Sequence, residues 1–176
     1  MDLFLRQVVT WSEHEAQRVH LVAPRPAEWA ERFSTHRAMI QGTCPDCTTD
    51  HIGSTAIPGI WSKDVVDVLV GVPAGAVPPV TDALERTGYT CEGQRPGHAW
   101  LCWPAPERRE AVIHVIERGS EAHEKRLRFR DRLRESPELA AEYEALKLAL
   151  AEESADWGEY TARKAAFVAN VVSATP

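Results

Sequence analysis

The chain reads as an α/β or α+β domain, and three observations predict it. A strongly apolar run, Val65 to Val72, follows a turn rich in Gly, Ser and Pro. Two shorter apolar runs come after it, and stretches of helical period lie before and beyond them. A strand that is apolar along nearly its whole length is buried on both faces, which implies a sheet covered on both sides rather than an open hairpin.

Taken in order, residues 1–18 alternate in character without a clear period and read as an N-terminal extension of helix or strand, ahead of a domain spanning 19–176. VHLVA, from Val19 to Ala23, is a short strand stopped by Pro24 and Pro26. From Ala27, the positions of Trp29, Phe33, His36 and Ile40 keep helical spacing, so His36 is expected to pack rather than to catalyse. GTCPDCTTD, from Gly42 to Asp50, reads as a loop because Gly, Pro, Asp and Thr compete with regular structure. Pro79 to Arg86 forms a helix closed near Gly88. Strands follow at Ala99 to Trp103 and Ala111 to Ile116, with PAPERRE as the loop between them. The C-terminal third is helical. Leu127, Phe129 and Leu133 open it, and Ser136 with Pro137 supplies a cap and first turn for the next helix. Leu139, Tyr143, Leu146 and Leu150 then form an amphipathic stripe, repeated by Trp157, Tyr160, Lys164, Phe167 and Val171.

The 176 residues and 44% hydrophobic content suit one ordinary domain with a real core. A net charge of -6 argues against holding a long nucleic acid by bulk electrostatics. Lys125, Arg126, Arg128, Arg130, Arg132 and Arg134 nevertheless crowd one segment, so a small phosphorylated ligand is easier to accommodate. No run approaches the roughly 18 to 20 apolar residues of a membrane span. The first residues lack the basic leader and apolar core of a secretory signal, so the cytoplasm is the expected location and no membrane partner is expected. Oligomeric state is not legible.

Several residues carry possible chemistry. Cys44 and Cys47 form CPDC, with His51 four residues on. That spacing fits an incidental structural pair, a structural zinc site or a redox pair, and zinc would need a further ligand such as Cys91 or Cys102. Gly53 allows a phosphate to approach the backbone, while Ser54 and Thr55 offer hydroxyls and amides. Lys63 could neutralise that phosphate or simply solubilise the strand entrance. His51 is either a ligand or proton carrier, or a polar strand end. Asp67 could hold a divalent cation, but a strand presents i and i+2 on one side, and the second position is Leu69. Asp64, at an offset of three, faces the other way. His114, on a later strand, either joins Asp67 or is a buried, hydrogen-bonded residue; Glu110 shares its parity. Lys164 interrupts an apolar stripe, so it either faces an anion or lays its stem on the core with its head in water. Asp156 and Tyr160 are one turn apart, and Tyr160 is one turn before Lys164, so a local polar cluster is feasible.

These motifs together resemble the GrpB protein family, whose members look like minimal nucleotidyltransferase-fold proteins. The blocks are HIGSTAIPGIWSKDVVDVLVGV from His51 to Val72, HVIERGSEAHEKRLRFRDRLRESPELAAEYEALKLALA from His114 to Ala151, and DWGEYTARKAAF from Asp156 to Phe167. The resemblance implies a nucleotidyltransferase-like mixed sheet with flanking helices and a helical C-terminal region. It matches Gly53 and Ser54 to the glycine-serine signature, Asp67 to the strand carboxylate, His114 to the later strand histidine, Arg130 and Asp131 to an FRD element, and Lys164 to the lysine of the last helix. The chain departs from the family pattern at KDVVD, where Asp64 stands in a proline position, and at VIHV, where Val112 replaces a possible polar ligand.

The activity so implied is transfer of a nucleotide from a nucleoside triphosphate with Mg2+ to a hydroxyl or phosphate acceptor. Asp67, His114 and Lys164 would act in catalysis, Asp67 and His114 as metal ligands. Gly53, Ser54, Thr55, Lys63 and Arg130 would bind the nucleotide. Two other readings stand beside it: a non-catalytic protein that binds a nucleotide or phosphometabolite, and a helical protein-interaction module.

Overall fold

A computed structural model describes residues 19–153 and 157–173. The expected extension over 1–18 and the position of Asp156 lie outside them. Helix α1, Pro26–Thr43, comes first, followed by strand β1, Thr48–Ile52, and a 3-10 turn over Ser54–Ala56. Strand β2, Val66–Val72, and helix α2, Val77–Arg86, precede three strands: β3, Thr90–Arg95; β4, His98–Ala105; and β5, Arg108–Glu117. Helices α3, Glu121–Glu135, α4, Pro137–Glu153, and α5, Trp157–Ser173, complete the chain.

The five strands make one mixed sheet in the order β1-β2-β5-β4-β3, with β2 and β5 parallel and the other neighbours antiparallel. On one face Val66, Val68, Val70 and Val72 pack with Trp29, Ile40, Leu84 and Tyr89 from α1, α2 and the chain that follows. On the other face Leu69, Ile52 and Ile116 lie under Ala122 and Leu127 of α3. Burial on both faces is why β2 carries almost no polar residue; Asp67 is the exception. A third cluster joins Ile57 and Ile60 to Phe129, Leu133, Tyr143 and Val171, so the C-terminal helices pack on the segment that links the 3-10 turn to β2.

The helical readings hold. Ser136 Oγ accepts from the Leu139 N–H at 3.2 Å, capping α4. His36 is buried and bonded through Nδ1 to the Tyr89 hydroxyl at 2.8 Å, a packing histidine. Four segments differ from expectation. The expected loop at Gly42–Asp50 ends early, because Thr48, Thr49 and Asp50 pair with Gly71, Val70 and Leu69 and find in the sheet the backbone partners their side chains would otherwise supply. The polar segment TCEGQR forms an edge strand, where only one side needs a partner. The expected strand at Val19–Ala23 contributes a single bridge, Val22 to Ser62. PAPERRE is largely strand, with only residues 106 and 107 outside β4 and β5. Among the described residues no helix is long and apolar enough to cross a membrane.

Candidate functional site

The site is built where the 3-10 turn meets β2. Gly53 has φ 71° and ψ -173°, a backbone region effectively reserved for glycine, and a β carbon there would overlap the Asp67 carboxylate. The turn is clamped from three sides. Thr55 Oγ1 bonds His51 Nε2 at 3.0 Å, the His51 ring stacks on Phe33 at 4.9 Å, and Arg134 Nε donates to the Ala56 carbonyl at 2.9 Å. Burial, followed by the charges of Arg134 and Arg130 and against that of Asp67, lowers the His51 pKa to about 4, so its ring is neutral.

This clamping reassigns several residues. His51 and Thr55 satisfy each other, and Thr55 is buried. Cys44 and Cys47 are joined in a disulfide, which leaves neither sulfur as a thiolate for zinc. The structural zinc trio of Cys44, Cys47 and His51 is therefore not assembled. Arg130 spends its guanidinium on the protein: Nε donates to Asp131 Oδ1 at 2.7 Å, and one terminal nitrogen to Asp50 Oδ1 at 3.1 Å and the His51 carbonyl at 3.3 Å. It braces α3 against β1. Asp64 faces α1, accepting from Trp29 Nε1 at 2.9 Å and Arg32 at 3.1 Å. Glu110 pairs with Arg108 at 4.0 Å and stays half exposed.

Asp67 and His114 do come together. His114 Nε2 lies 3.5 Å from Asp67 Oδ1, and its Nδ1 lies 3.3 Å from His98 Nε2. A consistent proton assignment has His114 donate to Asp67 and accept from His98, which leaves His98 Nδ1 a buried acceptor without a partner among the described residues. Burial and then the neighbouring His114, Arg126 and Arg95 charges push the His98 pKa down to about 3. Desolvation works against charge on Asp67, but the His114 hydrogen bond and the charges of His114, Lys164 and Lys63 outweigh it, and the carboxyl titrates below its ordinary range.

Around this carboxylate the structure gathers cations. The Lys63 and Lys164 ammonium groups stand 5.4 and 5.7 Å from the centre of the same buried Tyr160 ring. Burial lowers the pKa of both; Lys164 depresses Lys63 further, while Asp67 opposes the shift in each. Arg126 of α3 also feels Asp67. Lys147 lies behind them with 1% of its surface exposed, donating to the Trp61 carbonyl and sitting 4.8 Å over Tyr143. Glu144 accepts from the Trp61 N–H at 2.6 Å, so α4 grips Trp61 by both backbone groups, two residues before Lys63.

The stripe expected on α4 is thereby corrected: Lys147, not Leu146, fills the buried position, because a carbonyl and an aromatic face compensate its charge. Desolvation, followed by the Lys164 charge, brings the Lys147 pKa down to about 7 from 10.5. Between those values the unfolded chain holds a proton that the folded chain has released, so stability rises with pH across that window and the penalty is complete below about 7. Unfolding free energy from urea titration should rise between pH 7 and 9.5, and Lys147→Met should flatten that slope.

The donor set does not fit a magnesium centre. Magnesium takes oxygen ligands in near-octahedral order. Beside Asp67 stand Leu69 on the same strand and Val112 opposite it on β5, both apolar, with lysines close by. Among the described residues no group of three or more His, Cys, Asp or Glu could hold a metal ion. His98 and Lys147 are neighbours of the site that the sequence did not single out, whereas Arg126 and Tyr160 stood in its basic segment and in the Lys164 stripe; strand parity would have found His98 had the β4-β5 register been known.

Comparisons with known proteins agree with this architecture. The model of the GrpB protein family matches residues 18–174. A UPF0157 protein of Deinococcus radiodurans is 51% identical over 158 residues, covering 90% of this chain and 83% of its own length. A UPF0157 protein of Streptomyces coelicolor is 38% identical, covering 72% of this chain and 68% of its own length. Among solved structures, the conserved protein GrpB from Enterococcus faecalis superposes with a TM-score of 0.73 at 28% identity, over 87% of this chain and 97% of that one. The GLD-2/RNP-8 complex gives 0.56 at 13% identity, over 86% and 60% of the two chains. The Cid1 poly(U) polymerase with Mg 3′-dATP bound gives 0.50 at 15% identity, over 74% and 42%. At such identities the last two show a shared fold, a nucleotidyltransferase-like one.

Proposed function

Since the chain belongs to the GrpB family and has a nucleotidyltransferase-like fold, we propose that it binds a nucleotide or another phosphorylated small molecule between the Gly53-Ser54 turn and the lysines Lys63 and Lys164. The observation that carries this reading is the convergence of those two lysines on one tyrosine ring. Partial burial beside a like charge disfavours both ammonium groups, and a phosphate bound near them offsets that cost. The space a side chain at Gly53 would fill is taken by the Asp67 carboxylate, so the turn offers the Ser54 hydroxyl to a phosphate, and Asp67 with His114 lies where a hydroxyl of the ligand could be oriented.

Nucleotidyl transfer to a hydroxyl or phosphate acceptor is the second reading, favoured by the carboxylate that its neighbours hold ionised beside the lysines. Magnesium would have Asp67 as its hard ligand and His114 beside it, too few oxygens for the usual site. No step is assigned to it.

Asp67→Asn separates the two readings. Calorimetry with inorganic tripolyphosphate in EDTA should show binding tightened about fivefold, the roughly 1 kcal/mol expected when a repelling charge leaves a partly solvated site. If binding instead requires magnesium and vanishes in the variant, with wild type moving an α-phosphate label to an acceptor, the transfer reading stands and the binding reading falls.

A further inference from the structure

We propose that the ligand is a nucleotide and that the indole of Trp100 stacks on its base; this rests on the phosphate reading above. Trp100 belongs to the same sheet face as the charged centre. It pairs with His114 across β4 and β5, and His114 is in turn bonded to Asp67. On its other side it pairs with Gly93 of β3, where a β carbon would run into the six-membered ring, so the indole lies flat against the edge-strand backbone.

One ring face is thus supported by Gly93, and the side chain as a whole is half-buried. Helix α3 packs on this face over β1 and β5, leaning its Ala122 and Leu127 on Leu69 and Ile116. Helix α2 packs on the opposite face. A rigid aromatic ring is therefore presented beside the charged centre instead of being spent in a core. The rings of His98 and Trp100 are 5.4 Å apart, tilted by 56°, so the indole neighbours the His98-His114 pair.

The spacing suits a nucleoside. Trp100 stands two strands from Asp67 in the order β2-β5-β4 and two residues along from the position level with it, about 12 Å at the usual strand separation and rise. That is the order of distance between the base of a nucleotide and its phosphates. A phosphosugar or inorganic phosphate would engage the lysines and leave the indole unused. Every base has an aromatic face, so stacking here selects for a nucleoside more than for one base.

The test measures affinity by calorimetry in EDTA for ATP, GTP, CTP and UTP and for inorganic tripolyphosphate, using wild type, Trp100→Ala and Trp100→Phe, with thermal unfolding of each. Trp100→Ala should weaken nucleoside triphosphates about tenfold and leave tripolyphosphate unchanged, with Trp100→Phe between the two. Equal losses for both ligand types, or no loss for either, would overturn the stacking assignment. If Trp100→Ala does not fold, Trp100→Phe and Trp100→Leu carry the same comparison. Wild type that binds tripolyphosphate as tightly as any nucleotide refutes the nucleotide inference and leaves the phosphate site standing. Wild type that binds neither refutes both.

Discussion

Lys164→Met should lower affinity for the phosphorylated ligand about a hundredfold, while the ligand-free protein unfolds no earlier than wild type. On the proposed reading the two readouts move independently, because Lys164 would serve the ligand more than the fold. Its side chain is partly buried, and desolvation lowers its pKa even with Asp67 near, while its charge lowers that of Lys63. Methionine keeps the length and the apolar stem against Tyr160 and removes the charge. Asp67 retains His114 and Lys63, so its ionised form keeps partners. Removing a charged partner from a desolvated ion contact costs about 3 kcal/mol of binding, which gives the hundredfold loss. A lysine that only covers the core would leave affinity unchanged in Lys164→Met, because methionine keeps the apolar stem. Calorimetry and thermal unfolding on one preparation decide between them.

Gly53→Ala should cost about 3 kcal/mol of stability. Part is backbone strain, because φ 71° with ψ -173° is a region a side chain rarely enters. The rest is collision with the Asp67 carboxylate, which must leave the position from which it meets His114. Gly59→Ala supplies the control: Gly59 has φ 78° and open space where a β carbon would stand, so it should cost about 1 kcal/mol of strain alone. In an Asp67→Ala background the Gly53→Ala loss should shrink toward the Gly59 value, a coupling measurable by urea unfolding as a double-mutant cycle. A Gly53→Ala loss no larger than that of Gly59→Ala would mean that the turn and the carboxylate do not constrain each other.

Much of this frame was legible in the residues. The apolar run around Val68 and Val70 announced a strand buried on both faces, and the spacing of Trp29, His36 and Ile40 announced α1. Lys164 was visible as a charge in an apolar stripe, and the absence of a carboxylate at Leu69 was visible from strand parity. Less legible were β1 and β3, whose Thr, Asp, Glu and Gly residues carry no apolar period and become strands only because β2 and β4 offer open ladder positions. Lys147 was hidden for a related reason: the leucines beside it gave a tidy stripe, and nothing local shows that a carbonyl and an aromatic ring await its ammonium.

By itself, then, the sequence determined the class of fold, the buried strand, the Gly53-Ser54 turn and the helical C-terminal region, because periodicity and turn chemistry are set by near neighbours along the chain. Only the tertiary structure decided what the charged and reactive groups do. It committed Arg130 to Asp50 and Asp131, His51 to Thr55, and Cys44 to Cys47. It also brought Lys63, before β2, and Lys164, in α5, to one ring beside Asp67. The fate of a charge depends on which groups replace its water, and those groups are neighbours in space rather than in sequence.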